Sequence, residues 1–192
     1  MSKVLVVVGH PQCNSFCEAL GRAYAHGAEE AGHKVQLYVL SQMAFDPILH
    51  EGYRQVQPLE PDLEKTYQAL LGCDHLVMIF PLWCGDMPAL LKGFIERILQ
   101  PDLIKQRSTE HAMNWRLFRN KSARIVMTMG MPVSIYRWFY RGHALKLLRR
   151  NILKFIGINP VRHTLYGMIE ATSLEKRQGW LGEMRSLGRR AA

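Results

Sequence analysis

Long apolar runs are missing from this sequence of 192 residues. No span approaches the roughly 20 consecutive apolar residues with which a helix crosses a bilayer. The apolar run near the N-terminus stops at Gly9-His10, which is short for the core of a secretory signal. We therefore expect a cytoplasmic protein that does not span a membrane.

Cysteines are few and scattered, at positions 13, 17, 73 and 84. They form neither C-x-x-C pairs nor a dense disulfide framework, so we expect reduced thiols and no zinc or other metal site. Cys13 comes just before a predicted helix and could react with oxidants. A small loop residue is the simpler interpretation of Cys13.

Two common nucleotide-binding fingerprints are absent, the dinucleotide motif G-x-G-x-x-G and the P-loop motif G-x-x-x-x-G-K-[ST]. Acidic residues are also sparse, 16 against 25 Lys and Arg, which gives a formal net charge of +9. Basic residues crowd the segments 137–154 and 176–190. A solvated basic face, attraction of cofactor phosphates, and contact with nucleic acid or an anionic membrane are all consistent with this charge. Because no nucleic-acid recognition signature accompanies it, a basic nucleic-acid-binding module is kept only as an alternative.

Strand-like apolar runs alternate with helical patterns along the chain, without a linker or a repeat. Strands are predicted at 3–8, 35–40, 75–80, 124–128 and 161–166. Helices are predicted to begin near residue 15, to cover 62–71, 88–99 and 142–156, and to start again at a Thr172–Glu175 capping box. Right-handed crossovers would assemble these elements into an α/β three-layer sandwich around a five-stranded parallel sheet. We expect one domain over residues 1–192.

The first strand leads into a turn-rich loop, Gly9-His10-Pro11-Gln12-Cys13-Asn14-Ser15. Ser15 or Asn14 is the predicted N-cap of the following helix. A helix N-terminus offers unpaired N–H groups and the positive end of the helix dipole, which together favour a phosphate. The loop therefore predicts an anion site, although a capped turn without a ligand explains this loop equally well.

The run from Phe80 to Gly93 connects a buried strand to a helix through a loop suited to a flat ligand. Pro81 ends the strand because it cannot donate a ladder hydrogen bond, and Pro88 fits the first turn of the helix. Trp83 and Met87 lie between them at the carboxyl edge of the sheet, where open α/β sheets bind ligands. This loop indicates a bound flavin, whose chemistry needs only position, stacking surface and polar contacts from the protein.

Three motifs of the sequence carry a resemblance to a known family. The first is Gly9-His10-Pro11 followed by Ser15-Phe16, and the second is Phe80-Pro81-Leu82-Trp83 followed by Met87-Pro88-Ala89-Leu90-Leu91-Lys92-Gly93. The third is Thr128-Met129-Gly130-Met131 with Tyr136 and His143 downstream. They resemble the NAD(P)H:quinone oxidoreductases of the flavodoxin-like superfamily. That group contains DT-diaphorase, bacterial quinone reductases and the flavin-binding ancillary subunits of potassium efflux systems. The resemblance implies a flavodoxin-like fold and a flavin, FMN or FAD. It also implies ping-pong transfer of hydride from NAD(P)H to a quinone-like acceptor.

The resemblance implies roles for individual residues as well. Tyr136 and His143 would stabilise negative charge that develops during hydride transfer, although Tyr136 could instead serve packing or an interface and His143 could be the polar start of a helix. The flavin would be bound by His10, Ser15, Phe16, Pro81, Leu82, Trp83, Cys84, Thr128, Met129, Gly130 and Met131. Backbone amides at 82–84 and 129–131 are expected to hold the polar edge of the ring. Cys84 and Met131 depart from the tryptophan and the glycine of many relatives, so the ring is expected to be covered differently.

Relatives of this type work as homodimers, and we expect the same here. The chain has large aromatic residues for an interface near the flavin: Trp115, Phe118, Trp138, Phe139 and Tyr140. These residues could instead fill the core. A flavin-bearing regulatory subunit of a membrane transporter is the alternative to an enzyme.

Overall fold

The computed structural model describes residues 1–107 and 118–191. Its elements, in chain order, are β1 Lys3–Val8, α1 Phe16–Glu30, β2 Lys34–Val39, a 3-10 turn Leu40–Gln42, α2 Pro61–Gly72, β3 His75–Pro81, α3 Ala89–Ile98, α4 Pro101–Arg107, β4 Ser122–Thr128, α5 Val133–Trp138, α6 His143–Lys146, a π-helical segment Leu147–Leu153, β5 Val161–Tyr166 and α7 Leu174–Arg189. Within these two ranges, no helix is long and apolar enough to cross a bilayer.

The five strands form one sheet in the order β2-β1-β3-β4-β5, and every pair is parallel. This confirms the predicted α/β class and the five-stranded parallel sheet. β1 pairs with β2 on one side and with β3 on the other. The order of strands therefore reverses at β1 and β3, and the crevice outside their carboxyl ends is where open α/β sheets bind ligands.

Helices cover both faces of the sheet. On one face α1 and α7 pack together over the valines of β1, and Tyr24 and Met184 are both fully buried there. The two helix backbones approach closely at Gly27 and Gly188. A Cβ atom at Gly27 would overlap the carbonyl group of Arg185, and one at Gly188 would overlap that of Tyr24. α2 and α3 contribute to the separate apolar core of the opposite face.

The segment between β2 and α2 is a long excursion over the sheet, and Arg97 of α3 anchors it. The Arg97 side chain is fully buried. Its guanidinium forms a two-point ion pair with Glu60, at 2.8 and 3.0 Å, and donates to the carbonyl oxygens of Asp46 and Pro58. A buried charge requires such partners, so the excursion is fixed over the sheet.

Two helices of the structure differ in detail from the predicted ones. The helix expected from Gly142 to Ile156 begins at His143 and becomes π-helical from Leu147 to Leu153. Leu148 and Leu153, five residues apart, are both buried, which suits the wider turn of a π-helix. A sequence read at 3.6 residues per turn cannot reveal that change.

The capping box predicted at Thr172 is wrong by one residue. Ser173 is the N-cap of α7, and its Oγ accepts a hydrogen bond from the amide of Lys176 at 3.3 Å. The Thr172 hydroxyl donates instead to the carbonyl oxygen of Met168 at 2.7 Å. Both residue types can cap, so the sequence alone did not decide between them.

His75, the first residue of β3, is a buried titratable group with 2% of its surface exposed. Its Nδ1 lies 2.7 Å from the Ser122 hydroxyl, while its Nε2 has no hydrogen-bond partner within the described ranges. Burial, followed by the charges of Arg124, Arg162 and His33, lowers the pKa of His75 to about 4. The ring is therefore neutral in the folded protein at physiological pH.

We expect the free energy of unfolding to fall as the pH drops from about 6.5 to about 4. The unfolded chain protonates His75 near the ordinary histidine pKa of about 6.5, whereas the folded chain does so only near 4. The unfolded state thus binds more protons in this window, and the loss reaches up to about 3 kcal/mol. Urea unfolding of wild type and His75→Gln at about pH 7 and about pH 4.5 measures it. The variant should lose less stability than wild type, and an equal loss would contradict the assignment.

Candidate functional site

A cleft of about 460 Å³ opens at the carboxyl ends of β1, β3 and β4. This volume lies within the range of small-molecule sites. The cleft is lined by His10, Gln12, Ser15, Phe16, Cys17, Pro81, Leu82, Trp83, Thr128, Met129, Gly130, Ile169 and Glu170. Segments far apart in the sequence meet here because the strands are parallel and their carboxyl ends share one edge.

The N-terminus of α1 points into this cleft. Ser15 is its N-cap, and the Ser15 Oγ accepts a hydrogen bond from the Glu18 amide at 3.3 Å. The amides of Phe16 and Cys17 belong to the first helical turn, so they have no carbonyl partner within the helix. Asn14 has a positive φ of 55°, which turns the chain into the helix. The arrangement presents backbone N–H groups and a hydroxyl to an anion.

The Glu18 carboxylate does not compete for this anion position. It is 3% exposed and does not line the cleft. Arg22 donates to it at 2.6 and 2.9 Å, and the Asn14 amide donates at 2.8 Å. The Arg22 hydrogen bond is the largest contribution that lowers the pKa of Glu18, and burial opposes it. The negative charge is therefore already paired.

The chain after β3 makes a tight hairpin turn at Trp83–Asp86. The amides of Trp83 and Asp86 each donate to the other residue's carbonyl oxygen at 2.9 Å. Cys84 and Gly85 between them have φ values of 49° and 82°, the pattern of a type I′ turn. This turn leaves Trp83 46% exposed at the cleft, with its ring edge-on to that of His10 at 5.2 Å between centroids.

The turn strains Cys84, because a residue with a side chain rarely adopts a positive φ. We expect Cys84→Asn, the residue type that such turns favour, to raise the free energy of unfolding by about 0.5 to 1 kcal/mol. Cys84→Val, which is β-branched, should lower it. Denaturant unfolding of the two variants beside wild type decides this, and a destabilised Cys84→Asn would refute the turn assignment.

Three of the backbone amides expected to face the flavin are already used by the protein. The Leu82 amide donates to Thr128 at 2.7 Å, the Trp83 amide to Asp86, and the Met129 amide to Tyr166 at 2.9 Å. The amides of Leu82 and Met129 extend the pairing between strands, and the Trp83 amide closes the tight turn. The amides of Cys84, Gly130 and Met131 donate to no acceptor within the described ranges. Only Gly130 of these three lines the cleft.

Cys17 is a lining residue that sequence reasoning missed. Its thiol is buried and lies 3.3 Å from the Thr128 hydroxyl. Burial raises the pKa of Cys17 to about 11, and the Thr128 contact only partly opposes this. The thiol is therefore protonated at neutral pH and serves as cleft wall rather than as a nucleophile.

Three further lining residues were also missed: Gln12, Ile169 and Glu170. Gln12 lies in the predicted phosphate loop and could have been included on that ground. Ile169 and Glu170 follow β5, whose carboxyl end reaches the same sheet edge, so topology offered a signal that no motif did. Glu170 places an exposed carboxylate at the rim, where it can accept hydrogen bonds from hydroxyl groups.

Nine of the predicted cofactor-binding residues line the cleft, whereas Cys84 and Met131 do not. Tyr136 and His143 also lie outside its wall. Tyr136 is buried, and its hydroxyl oxygen accepts a hydrogen bond from the Leu145 amide at 3.0 Å. His143 is exposed at the start of α6. The catalytic roles of Tyr136 and His143 remain predictions.

The aromatic residues assigned to an interface divide into two groups. Phe118 is 1% exposed and belongs to the core, so its assignment to an interface is wrong. Trp138, Phe139 and Tyr140 are exposed by 84%, 78% and 46%, so they do not fill the core. Trp115 lies outside the described residues. Residues 1–107 and 118–191 contain no group of His, Cys, Asp or Glu that could hold a metal ion.

This chain resembles known proteins in sequence over most of its length. The profile of a family described as having a flavodoxin-like fold matches residues 2–187. A Haemophilus influenzae protein named an uncharacterized NAD(P)H oxidoreductase is 28% identical over 170 residues, covering 86% of this chain and 83% of its own. A Listeria monocytogenes FMN-dependent NADH:quinone oxidoreductase is 30% identical over 181 residues, covering 84% of each chain.

Solved structures agree on the fold. The NAD(P)H:quinone oxidoreductase from Methanothermobacter marburgensis superimposes with a TM-score of 0.79 at 22% identity, over 98% of this chain and 94% of the other. The structure of Smu.1420 from Streptococcus mutans gives a TM-score of 0.77 at 28% identity, over 98% and 99% of the two chains.

Proposed function

Because this chain belongs to the flavodoxin-like fold family, we propose that its cleft binds the flavin FMN, with the flavin phosphate at the N-terminus of α1. The protein is a flavin-dependent NAD(P)H oxidoreductase that reduces quinones. The observation that carries the site assignment is the capped N-terminus of α1, because Ser15, Phe16 and Cys17 line the cleft beside Trp83. We propose that residues 1–192 act as one unit and that the protein works in the cytoplasm.

The residues present fit a flavin. Ser15 can donate its hydroxyl proton to a phosphate while its Oγ still accepts from the Glu18 amide. The cleft wall is apolar at Trp83, Leu82 and Met129, which suits a flat ring system. The Glu170 carboxylate can accept from the hydroxyl groups of a ribityl chain.

A bound flavin supplies the hydride chemistry, and the protein supplies position and electrostatics. The unpaired amide of Gly130 can stabilise negative charge at the ring edge. Trp83 and Phe16 exclude water from the apolar part of the cleft. Tyr136 is proposed as a proton-bearing group. Burial raises its pKa, the Leu145 hydrogen bond opposes this, and the nearby Asp86 adds to the rise, so the phenol is protonated at neutral pH.

Steady-state kinetics test the proposed function. With NADH or NADPH as donor and a quinone as acceptor, we expect parallel double-reciprocal lines, because one cleft serves the two substrates in turn. The reaction should require FMN and should be restored when FMN is added to the apoprotein. Protein that retains FMN yet oxidises neither donor in the presence of quinones would refute the oxidoreductase assignment.

We also propose that the protein is a homodimer. An apolar groove of about 500 Å³ borders α3, lined by Pro47, Ile48, Leu49, Ala89, Leu90, Lys92, Gly93 and Glu96. Ile48 is 59% exposed there. Lys92 and Glu96, paired at 2.5 Å, border this groove with balanced charge, so a second copy of the same surface brings no uncompensated charge against it.

Light scattering of the flavin-loaded protein measures this association. We expect a dimer for wild type and a monomer for Ile48→Glu, because a carboxylate would be buried in the interface. Ile135→Glu, at a residue 46% exposed on α5, is the matched control and should remain dimeric. A wild-type monomer at micromolar concentration would end the dimer proposal.

A further inference from the structure

The positive charge of this protein is concentrated in one stretch of chain. Residues 111–169 contain 11 of the 25 Lys and Arg residues and none of the 16 acidic residues. The rest of the chain, with 14 basic and 16 acidic residues, has a slight negative excess. The excess charge thus belongs to the part of the protein around β4, α5, α6 and β5.

Several of these cations are on the surface of one segment. Arg137, Arg141, Lys146, Arg150 and Lys154 are all exposed. None of them forms an ion pair with a carboxylate within residues 1–107 and 118–191. A basic surface without internal carboxylates is available for an external anionic partner.

Three consecutive aromatic residues lie between two of these cations, Arg137 and Arg141. Trp138, Phe139 and Tyr140, which we call the aromatic tip, lie at the C-terminal end of α5, of which Trp138 is the last residue. Trp138 and Phe139 are the most exposed of them, at 84% and 78%, and the rings of Phe139 and Tyr140 contact each other edge to face at 5.0 Å. Contiguous exposed apolar surface rimmed by charge marks an interaction site.

The aromatic tip is held in place rather than left on a loose loop. The amides of Phe139 and Tyr140 donate to the Ile135 carbonyl oxygen at 2.9 and 3.3 Å, and the Gly142 amide donates to that of Tyr136 at 3.1 Å. The Tyr136 hydroxyl accepts from the Leu145 amide, which ties α5 to α6. A backbone that is already ordered loses little conformational entropy when a partner buries this segment.

We propose that the aromatic tip and its surrounding cations form a docking surface for an anionic lipid bilayer. Trp and Tyr side chains favour the membrane–water interface, and Lys and Arg around them are attracted to anionic headgroups. The proposal goes beyond the reductase activity, and its binding step does not depend on that activity.

Two other partners for this surface, a second copy of the chain and a nucleic acid, fit it less well. A second copy related by a two-fold axis would bring an equally basic surface against the tip, without carboxylates from residues 111–169 to neutralise it. A nucleic acid would be attracted by the cations. Its bases can also stack on exposed rings, but the chain carries no nucleic-acid recognition signature. Two adjacent rings that are mostly exposed at the end of α5 suit insertion between lipid headgroups.

Co-sedimentation of the FMN-loaded protein with vesicles tests the proposal. Vesicles that contain phosphatidylglycerol should bind the protein, and pure phosphatidylcholine vesicles should bind it at least about tenfold more weakly, because each Lys or Arg near an anionic surface changes partitioning roughly fivefold. The binding should weaken as salt is added. Equal binding to the two kinds of vesicle, or no binding to either, would overturn the proposal.

Matched variants distinguish the contribution of the aromatic tip to vesicle binding from that of the protein's net charge. Trp138→Ala with Phe139→Ala should weaken binding on the order of tenfold or more, whereas Tyr53→Ala, at another exposed aromatic, should leave it unchanged. Arg137→Glu with Arg141→Glu, at the two cations that flank the tip, should weaken binding much more than Lys3→Glu with Lys34→Glu, which changes the net charge equally at the amino ends of β1 and β2. Circular dichroism and FMN retention confirm that the variants are folded.

Two further outcomes would reassign the surface. If the double alanine variant turns a wild-type dimer into a monomer and wild type binds no vesicles, the tip contacts a second copy and the proposal fails. It also fails if wild type binds short single-stranded DNA but not anionic vesicles.

Discussion

Replacing Ser15 by Asp is expected to weaken FMN binding roughly a hundredfold, about 2 to 3 kcal/mol. Aspartate caps helices as well as serine does, so it should keep the hydrogen bond from the Glu18 amide and leave α1 intact. It would, however, remove the hydroxyl donor and place a negative charge where the flavin phosphate is proposed to lie. Fluorescence titration of the apoprotein with FMN measures the change.

The chain offers a matched control for this substitution. Ser173 caps α7 by the same kind of bond, to the Lys176 amide at 3.3 Å, and does not line the cleft. Ser173→Asp should bind FMN like wild type, and both variants should unfold at wild-type urea concentrations. Wild-type FMN affinity in a folded Ser15→Asp protein would place the phosphate elsewhere.

Tyr136→Phe and His143→Gln should each slow flavin reduction by NAD(P)H far more than they reduce FMN occupancy. A donor directed at developing charge supplies about 2 to 4 kcal/mol at the transition state, so the expected loss is roughly 30-fold to 1,000-fold. The Tyr136 phenol is suited to this role because it is protonated at neutral pH and its proton has no acceptor within the described residues. Rapid mixing of the FMN-loaded variants with NADPH gives the rate.

A structural role for Tyr136 must be separated from a catalytic one. Its hydroxyl also accepts from the Leu145 amide, so Tyr136→Phe is expected to cost about 1 to 3 kcal/mol of stability as well. Tyr140→Phe, at an exposed tyrosine of the same segment, is the control and should reduce its flavin at the wild-type rate. Wild-type rates in both Tyr136→Phe and His143→Gln would remove these residues from the mechanism.

Strand and helix positions were accessible from sequence because local patterns fixed them. β5 runs from Val161 to Tyr166 as predicted, and β1 from Lys3 to Val8. The continuous apolar run of β1, from Val4 to Val8, fits a strand that helices cover on both faces. The sequence narrowed the N-cap of α1 to Asn14 or Ser15, both of which are capping residue types, and the structure assigns it to Ser15.

Other features depend on contacts that the sequence does not encode locally. Nothing near Phe118 or Phe139 in the sequence indicates that the first is buried and the second exposed. The Leu82 amide is consumed by Thr128, which lies 46 residues further along and meets it only through strand pairing. Glu170 reaches the cleft for the same reason, since β5 ends at the shared edge.

The most direct test of a flavin-dependent reductase is the visible absorption spectrum of the purified protein, recorded without oxygen before and after addition of NADPH and then of a quinone. We expect the visible absorption band of an oxidised flavin, its bleaching by NADPH or NADH, and its return when quinone is added. A protein that is colourless, and that still lacks this band after incubation with FMN and removal of the free FMN, would contradict the flavin assignment.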